Sequence, residues 1–178
     1  MFAKSTKTLI GIAAAAIVLL ATPSPANAGA NDLATARAAT ARFHQIEVAN
    51  GAGYGLFKDA KGIACIDSPA GVMGIHYVNG GLVGDAVLDP ATPEALVYQQ
   101  LPNGELRLVA AEYIVFQGNW WKAGNTSAPT LFGQPLKLVP MPNRYGLDPF
   151  YEIHAWIWKH NPDGMFKDWN PNGTCGTS

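Results

Sequence analysis

The chain has 178 residues, 48% of them hydrophobic, with 12 Lys and Arg against 13 Asp and Glu for a formal charge of −1. No cluster of cations occurs along it, so counterion-release binding to nucleic acid and adhesion to an anionic membrane surface are both disfavoured. Its two cysteines, Cys65 and Cys175, have neither a C-x-x-C spacing nor a nearby histidine, which argues against a redox pair or a thiolate metal site.

The first element is an export signal. Lys4 and Lys7 make a short basic start, Leu9 to Ala21 is an apolar run, and Ala26-Asn27-Ala28 offers small residues to a signal peptidase. That run is too short for a membrane helix, and no later stretch approaches the roughly 20 apolar residues such a helix requires. Residues 1–28 are therefore expected to be a signal peptide and residues 29–178 a single globular domain, secreted or periplasmic. Without Lys4 and Lys7 the cations fall from 12 to 10 against 13 acids, a formal −3. In an oxidising compartment Cys65 and Cys175 are expected to form one disulfide.

Asn31-Asp32 precedes an alanine-rich segment, and the spacing predicts a helix over Leu33 to Glu47 with Asp32 as N-cap and Asn50-Gly51 as stop. Leu33, Ala36, Ala39, Phe43 and Ile46 form its apolar stripe, with His44 at the boundary. From Gly53 onward short β-prone segments alternate with Gly, Pro, Asn and Asp. The expected strands are Gly62 to Asp67, Val72 to Val78, Ala95 to Gln100, Glu105 to Phe116 and Phe150 to Lys159. Leu101-Pro102-Asn103-Gly104 is a hairpin turn between the third and fourth. Trp120 to Pro149 is expected to be a long Gly- and Pro-rich loop containing one short strand at Leu136 to Val139. The expected fold is α+β: an N-terminal helix packed on a curved antiparallel sheet or partly closed β-barrel, with one disulfide.

Three residues on three expected strands could carry chemistry. A period of two puts Leu106, Leu108, Ala110, Glu112, Ile114 and Phe116 on one face, so Glu112 is a carboxylate in an apolar row that needs a partner or a raised pKa. His76 and His154 each lie mid-strand among apolar residues. Inside a barrel the three could converge as two imidazoles and a carboxylate, a set used for zinc, iron or copper, and zinc or copper is the metal expected. Met73, a soft donor for copper, faces away from His76 on a regular strand. A hydrogen-bonded core is the competing reading of all three. Alternating Trp156 and Trp158 share a strand face, either as a ligand platform with Glu112 or as a buried plug. A carboxylate pair of Glu112 and Glu152, as in glycosidases, has nothing to fix its separation. No G-x-S-x-G, H-E-x-x-H or Gly-rich phosphate loop is present, so no catalytic residue is assigned.

The segments Met73-Gly74-Ile75-His76-Tyr77-Val78, Pro93-Glu94-Ala95-Leu96-Val97-Tyr98 and Val109-Ala110-Ala111-Glu112-Tyr113 resemble those of a family of small, exported, functionally unassigned bacterial proteins. The specific part of the likeness is the ending from Trp158 to Cys175, with the pattern W-x-x-N-P-x-G-M-F-x-x-W-N-P-x-x-x-C. The resemblance brings no activity or cofactor. It implies that His76, Glu112, His154, Met165, Trp169 and Asn170 belong to a shared pattern. Taken together, these readings favour an exported protein that binds a metal ion or small ligand through His76, Glu112 and His154. The alternatives are a metal-dependent enzyme using the same residues and a structural or protein-interaction module presenting Trp120 and Trp121.

Overall fold

The computed structural model describes Met1 and residues 25–176; Lys4, Lys7 and the Leu9 to Ala21 run of the expected signal peptide lie outside the described residues. Helix α1 covers Pro25–Thr40, a 3-10 turn follows at Ala41–His44, and α2 covers Ile46–Gly51. The single helix expected from Leu33 to Glu47 is thus longer at its start and broken before its end. Asp32 lies inside α1 rather than capping it.

Tertiary hydrogen bonds break the helix. Thr40 donates its hydroxyl back to the Ala36 carbonyl (2.7 Å) and accepts the indole N–H of Trp158 (3.0 Å). The Phe43 carbonyl, which a continuous helix would offer to Glu47, instead accepts the buried Tyr98 hydroxyl at 2.7 Å. Gln45 is consequently extended, with φ −94° and ψ 110°. The apolar stripe survives the break: Ala36, Phe43 and Ala49 are buried, and Leu33 and Ile46 pack beside them.

The remaining elements, in chain order, are β1 (Gly55–Leu56), β2 (Cys65–Ser68), β3 (Gly71–Val78), α3 (Gly80–Val83), β4 (Ala95–Gln100), β5 (Leu106–Phe116), α4 (Gln117–Lys122), β6 (Thr130–Leu131), β7 (Gln134–Pro135), β8 (Lys137–Val139) and β9 (Phe150–Ala155). Seven strands form one antiparallel sheet in the order β1-β3-β4-β5-β9-β8, with β2 also paired to β3. The sheet is not closed, so of the two expected architectures the antiparallel sheet holds and the barrel does not. At the β4–β5 turn Gly104 adopts φ 87° and donates to the Leu101 carbonyl, as the sequence requires. The expected long loop is shorter than Trp120 to Pro149, because α4 begins it and β6 and β7 form a separate hairpin within it.

A bulge decides which side chains meet. Val97 pairs with Ala110 but Tyr98 pairs with Leu108, leaving Val109 as an extra residue in β5. One extra residue reverses the alternation. Leu106 and Leu108 therefore turn to the α1–α2 side with Phe43, Tyr54 and Tyr98, while Val109 and Ala110 pack on the other face with Val97 and Trp156. The expected uniform row from Leu106 to Phe116 is corrected accordingly: only its second half, from Ala110, shares the face of Glu112.

The adjacent β3 backbone at Gly74 makes that kink feasible. Gly74 has φ 116°, and a Cβ there would lie 2.8 Å from the Tyr98 carbonyl oxygen. Gly74→Ala is expected to lower stability by about 1–3 kcal/mol through backbone strain at this φ, read as a shift in the denaturant midpoint without change of slope.

Strand β9 ends at Ala155, four residues short of the expected Lys159. The Trp156 amide turns away to donate to the Met165 carbonyl (3.0 Å) and the Ile157 amide donates to Ala155 (2.8 Å). Trp156 and Trp158 therefore do not share a strand face. The tail returns along β3, where Asn170 and Val72 exchange both backbone hydrogen bonds. The Asn161 and Asn170 side chains each accept an amide two residues on, and each donates across the tail, to the Trp169 and His160 carbonyls. The disulfide between Cys65 and Cys175 then fastens the tail to β2, as the cysteine count anticipates.

Candidate metal centre

The face of the sheet away from α1 and α2 carries the unusual chemistry. Glu112 on β5 lies directly opposite His154 on β9, and His76 on β3 reaches them across β4, where its register partner is Val97 and that of Glu112 is the small Ala95. An alanine at that position leaves the space between β3 and β5 open to the longer side chains.

The three side chains converge, each histidine through its Nε2 and Glu112 through one oxygen toward each. His76 Nε2 is 3.4 Å from His154 Nε2 and 3.3 Å from Glu112 Oε2, and His154 Nε2 is 3.7 Å from Glu112 Oε1. Two ligands about 2.0–2.1 Å from a metal at the tetrahedral angle lie roughly 3.3–3.4 Å apart. The two separations at His76 match that spacing, while the 3.7 Å between His154 and Glu112 is longer. All three residues are buried, at 5%, 4% and 0% exposure for His76, Glu112 and His154.

Electrostatics favours the deprotonated imidazole. Burial pushes both His76 and His154 down to about 3, helped at His76 by the neighbouring His154. Both are therefore neutral near pH 7, with one lone pair each. Neither Nδ1 has a hydrogen-bond partner, whereas both Nε2 atoms face each other and Glu112. Coordination through Nε2 would put the proton on Nδ1, which has no acceptor at either histidine, so a cation is favoured by the two Nε2 lone pairs meeting Glu112 and not by any partner at Nδ1.

Burial, and next the carboxyl of Glu152, push Glu112 well above the usual carboxylate range. Glu152, also buried, is pushed up to about 7, mainly by burial and then by Asp168. Its Oε1 is 3.6 Å from Lys137 Nζ, which also pairs with Asp168, while its Oε2 has no partner. Of the two buried carboxyls, only Glu152 has a lysine beside it, and it shares that lysine with Asp168. Holding both ionised without a further cation would cost several kcal/mol per ion, and a bound dication would offset it.

Around the cluster, the Trp156 ring stacks on His154 with centroids 6.3 Å apart, and the Tyr145 hydroxyl donates to Met73 Sδ at 3.5 Å. Strand β3 carries an extra residue at Met73, since Ile66 pairs with Gly74 and Asp67 with Val72. That irregularity brings Met73 to Tyr145, which lines the same cavity as His76, in place of the outward direction expected of a regular strand. Of the residues singled out in the sequence, His76, Glu112, His154 and Trp156 come together. Trp158 packs on the α1 side, its indole on Thr40. Tyr145 is the participant that sequence reasoning missed; Glu152, which the sequence paired with Glu112 without fixing their separation, does come beside it, two residues before His154 on the same face of β9.

The described residues include no helix long and apolar enough to cross a membrane. No family model, curated protein or solved structure matches the chain.

Proposed function

We propose that this is an exported metal-binding protein in which His76, Glu112 and His154 hold one zinc or copper ion. The observation that carries the reading is the convergence of two imidazole Nε2 atoms and one carboxylate, all buried, at separations of 3.3–3.7 Å. Export is supported by the basic and apolar N-terminal pattern and by the disulfide, which persists in oxidising compartments. The protein's C-terminal pattern supports, as a proposal, kinship with the small exported bacterial family it resembles.

Elemental analysis tests the proposal. Protein purified without chelator or affinity metal, and then incubated with zinc or copper, is expected to retain about one metal ion per chain. A folded His76→Ala/His154→Ala variant is expected to retain none. Absence of metal from the parent protein overturns the reading.

The pH dependence follows from the ligands. Binding requires ionised Glu112 but no deprotonation of the histidines, which are already neutral well above pH 3. Metal affinity is therefore expected to rise with pH above the ordinary carboxylate range, by about tenfold per pH unit for each carboxyl proton released. Calorimetry in buffers of differing ionisation enthalpy counts the protons, one from Glu112 and a second where Glu152 ionises with it; more than two would show that the histidines titrate.

A further inference from the structure

The open side of the centre faces a small apolar space. His76 and Glu112 form part of its wall, and the rest is chiefly Phe57, Val78, Ile114, Phe116, Leu147 and Phe150. Its volume is about 60 Å³. His154 lies outside it, fully buried, so the cluster is sealed behind and approachable from one side only. The apolar side chains at its mouth, among them Phe57, Val78, Ile114 and Phe116, are half-buried, which leaves an entry from solvent.

Size and polarity together restrict what can enter. An apolar protein cavity of about 150 Å³ holds benzene, with six carbons. By that scale about 60 Å³ holds two or three non-hydrogen atoms beside the metal. No Lys or Arg lines the space, and the hydroxyl of its one tyrosine, Tyr145, is taken by Met73, so the wall offers a polar ligand few partners besides the metal. Phosphate, carboxylates and sugars are excluded by hydrogen-bonding need or by bulk.

We propose that the remaining coordination position of this centre, when the ion is cuprous copper and not zinc, takes an uncharged ligand of about two or three non-hydrogen atoms, the class of dioxygen and nitric oxide, held against the apolar wall. The inference rests on the metal-binding reading above. Two imidazoles and one carboxylate with an open position is a set that ferrous iron also accepts, which supplies a spectroscopic probe.

The test is to load the protein anaerobically with ferrous iron and add nitric oxide, recording the iron–nitrosyl electron paramagnetic resonance signal. In parallel, cobalt-loaded protein is titrated with inorganic phosphate and with imidazole, recording its visible spectrum. The proposal expects a nitrosyl signal of about one per bound iron and no spectral change with phosphate or imidazole. Iron bound without a nitrosyl signal overturns it, as does a response to imidazole equal to that of nitric oxide. Failure to bind any metal is distinct, because it removes the metal-binding reading itself and this inference with it. Val83→Phe, which fills the cavity from α3, is expected to abolish the nitrosyl signal at unchanged metal content. Leu147→Ala is expected to admit imidazole; retention of the size restriction in that variant would mean that the cavity does not set it.

Discussion

Glu112→Gln is expected to lower zinc or copper affinity by more than about 100-fold while raising the stability of the metal-free protein. The loss follows because second-shell partners alone are worth about 10–100-fold in metal affinity, and Glu112 supplies the only anionic ligand. The gain follows from proton linkage. Glu112 has a folded-state pKa raised above its unfolded value, so stability is lost as pH rises from the ordinary carboxylate range toward the folded value. Glutamine does not titrate and escapes that loss. The variant should therefore exceed the parent at pH 7 and match it near pH 3, measured by urea unfolding in chelator. The two readings of the cluster separate here. If His76, Glu112 and His154 were only a hydrogen-bonded core, there would be no metal affinity to lose, while the metal-free stability would shift the same way, because the linkage does not depend on a metal.

The other large effect belongs to the disulfide. Cys65 and Cys175 are separated by 110 residues, so the crosslink restricts most of the unfolded chain. Cys65→Ser/Cys175→Ser is expected to cost about 3–5 kcal/mol on the chain-entropy model, seen as a fall of roughly 10 °C or more in Tm. The tail would still hold its backbone pairing between Asn170 and Val72. A loss below about 1 kcal/mol would show that this pairing and the Asn161 and Asn170 side-chain bonds already confine the tail without the crosslink.

Local rules recovered those parts of the fold that local physics determines. Strands β4 and β5 and the turn between them followed from β-branched runs and Pro-Asn-Gly chemistry. The disulfide followed from cysteine count and compartment. What the sequence concealed depends on partners far along the chain. The helix breaks because Tyr98 and Trp158 take groups at Phe43 and Thr40, 55 and 118 residues away. The strand through Trp158 stops early because Met165 offers its carbonyl to Trp156.

The candidate site was legible in its ligands and not in its surroundings. His76, Glu112 and His154 were identifiable because polar side chains interrupt apolar strands, which is costly unless something compensates. The strand order that joins them could not be read, nor could the bulge at Val109. A simple alternation count assigns Glu112 the neighbours Leu106 and Leu108, both of which the bulge sends to the opposite side. Glu152 could be named only as a carboxylate partner of Glu112 with no fixed separation, because the β5–β9 pairing that sets their distance and the cover of β8 that buries it lie beyond local rules.

The three ligands enter the chain in sequence on β3, β5 and β9, and 78 residues separate the first imidazole from the last. A polypeptide threaded through an export channel is unfolded, and at any moment before its final strand emerges it offers an incoming ion one or two donors. The centre is complete only when β9 has paired and the tail behind it has closed on β3. On the exported reading, the ion is consequently acquired at the destination, and its identity follows the metal supply of that compartment rather than that of the cytoplasm where the chain is made.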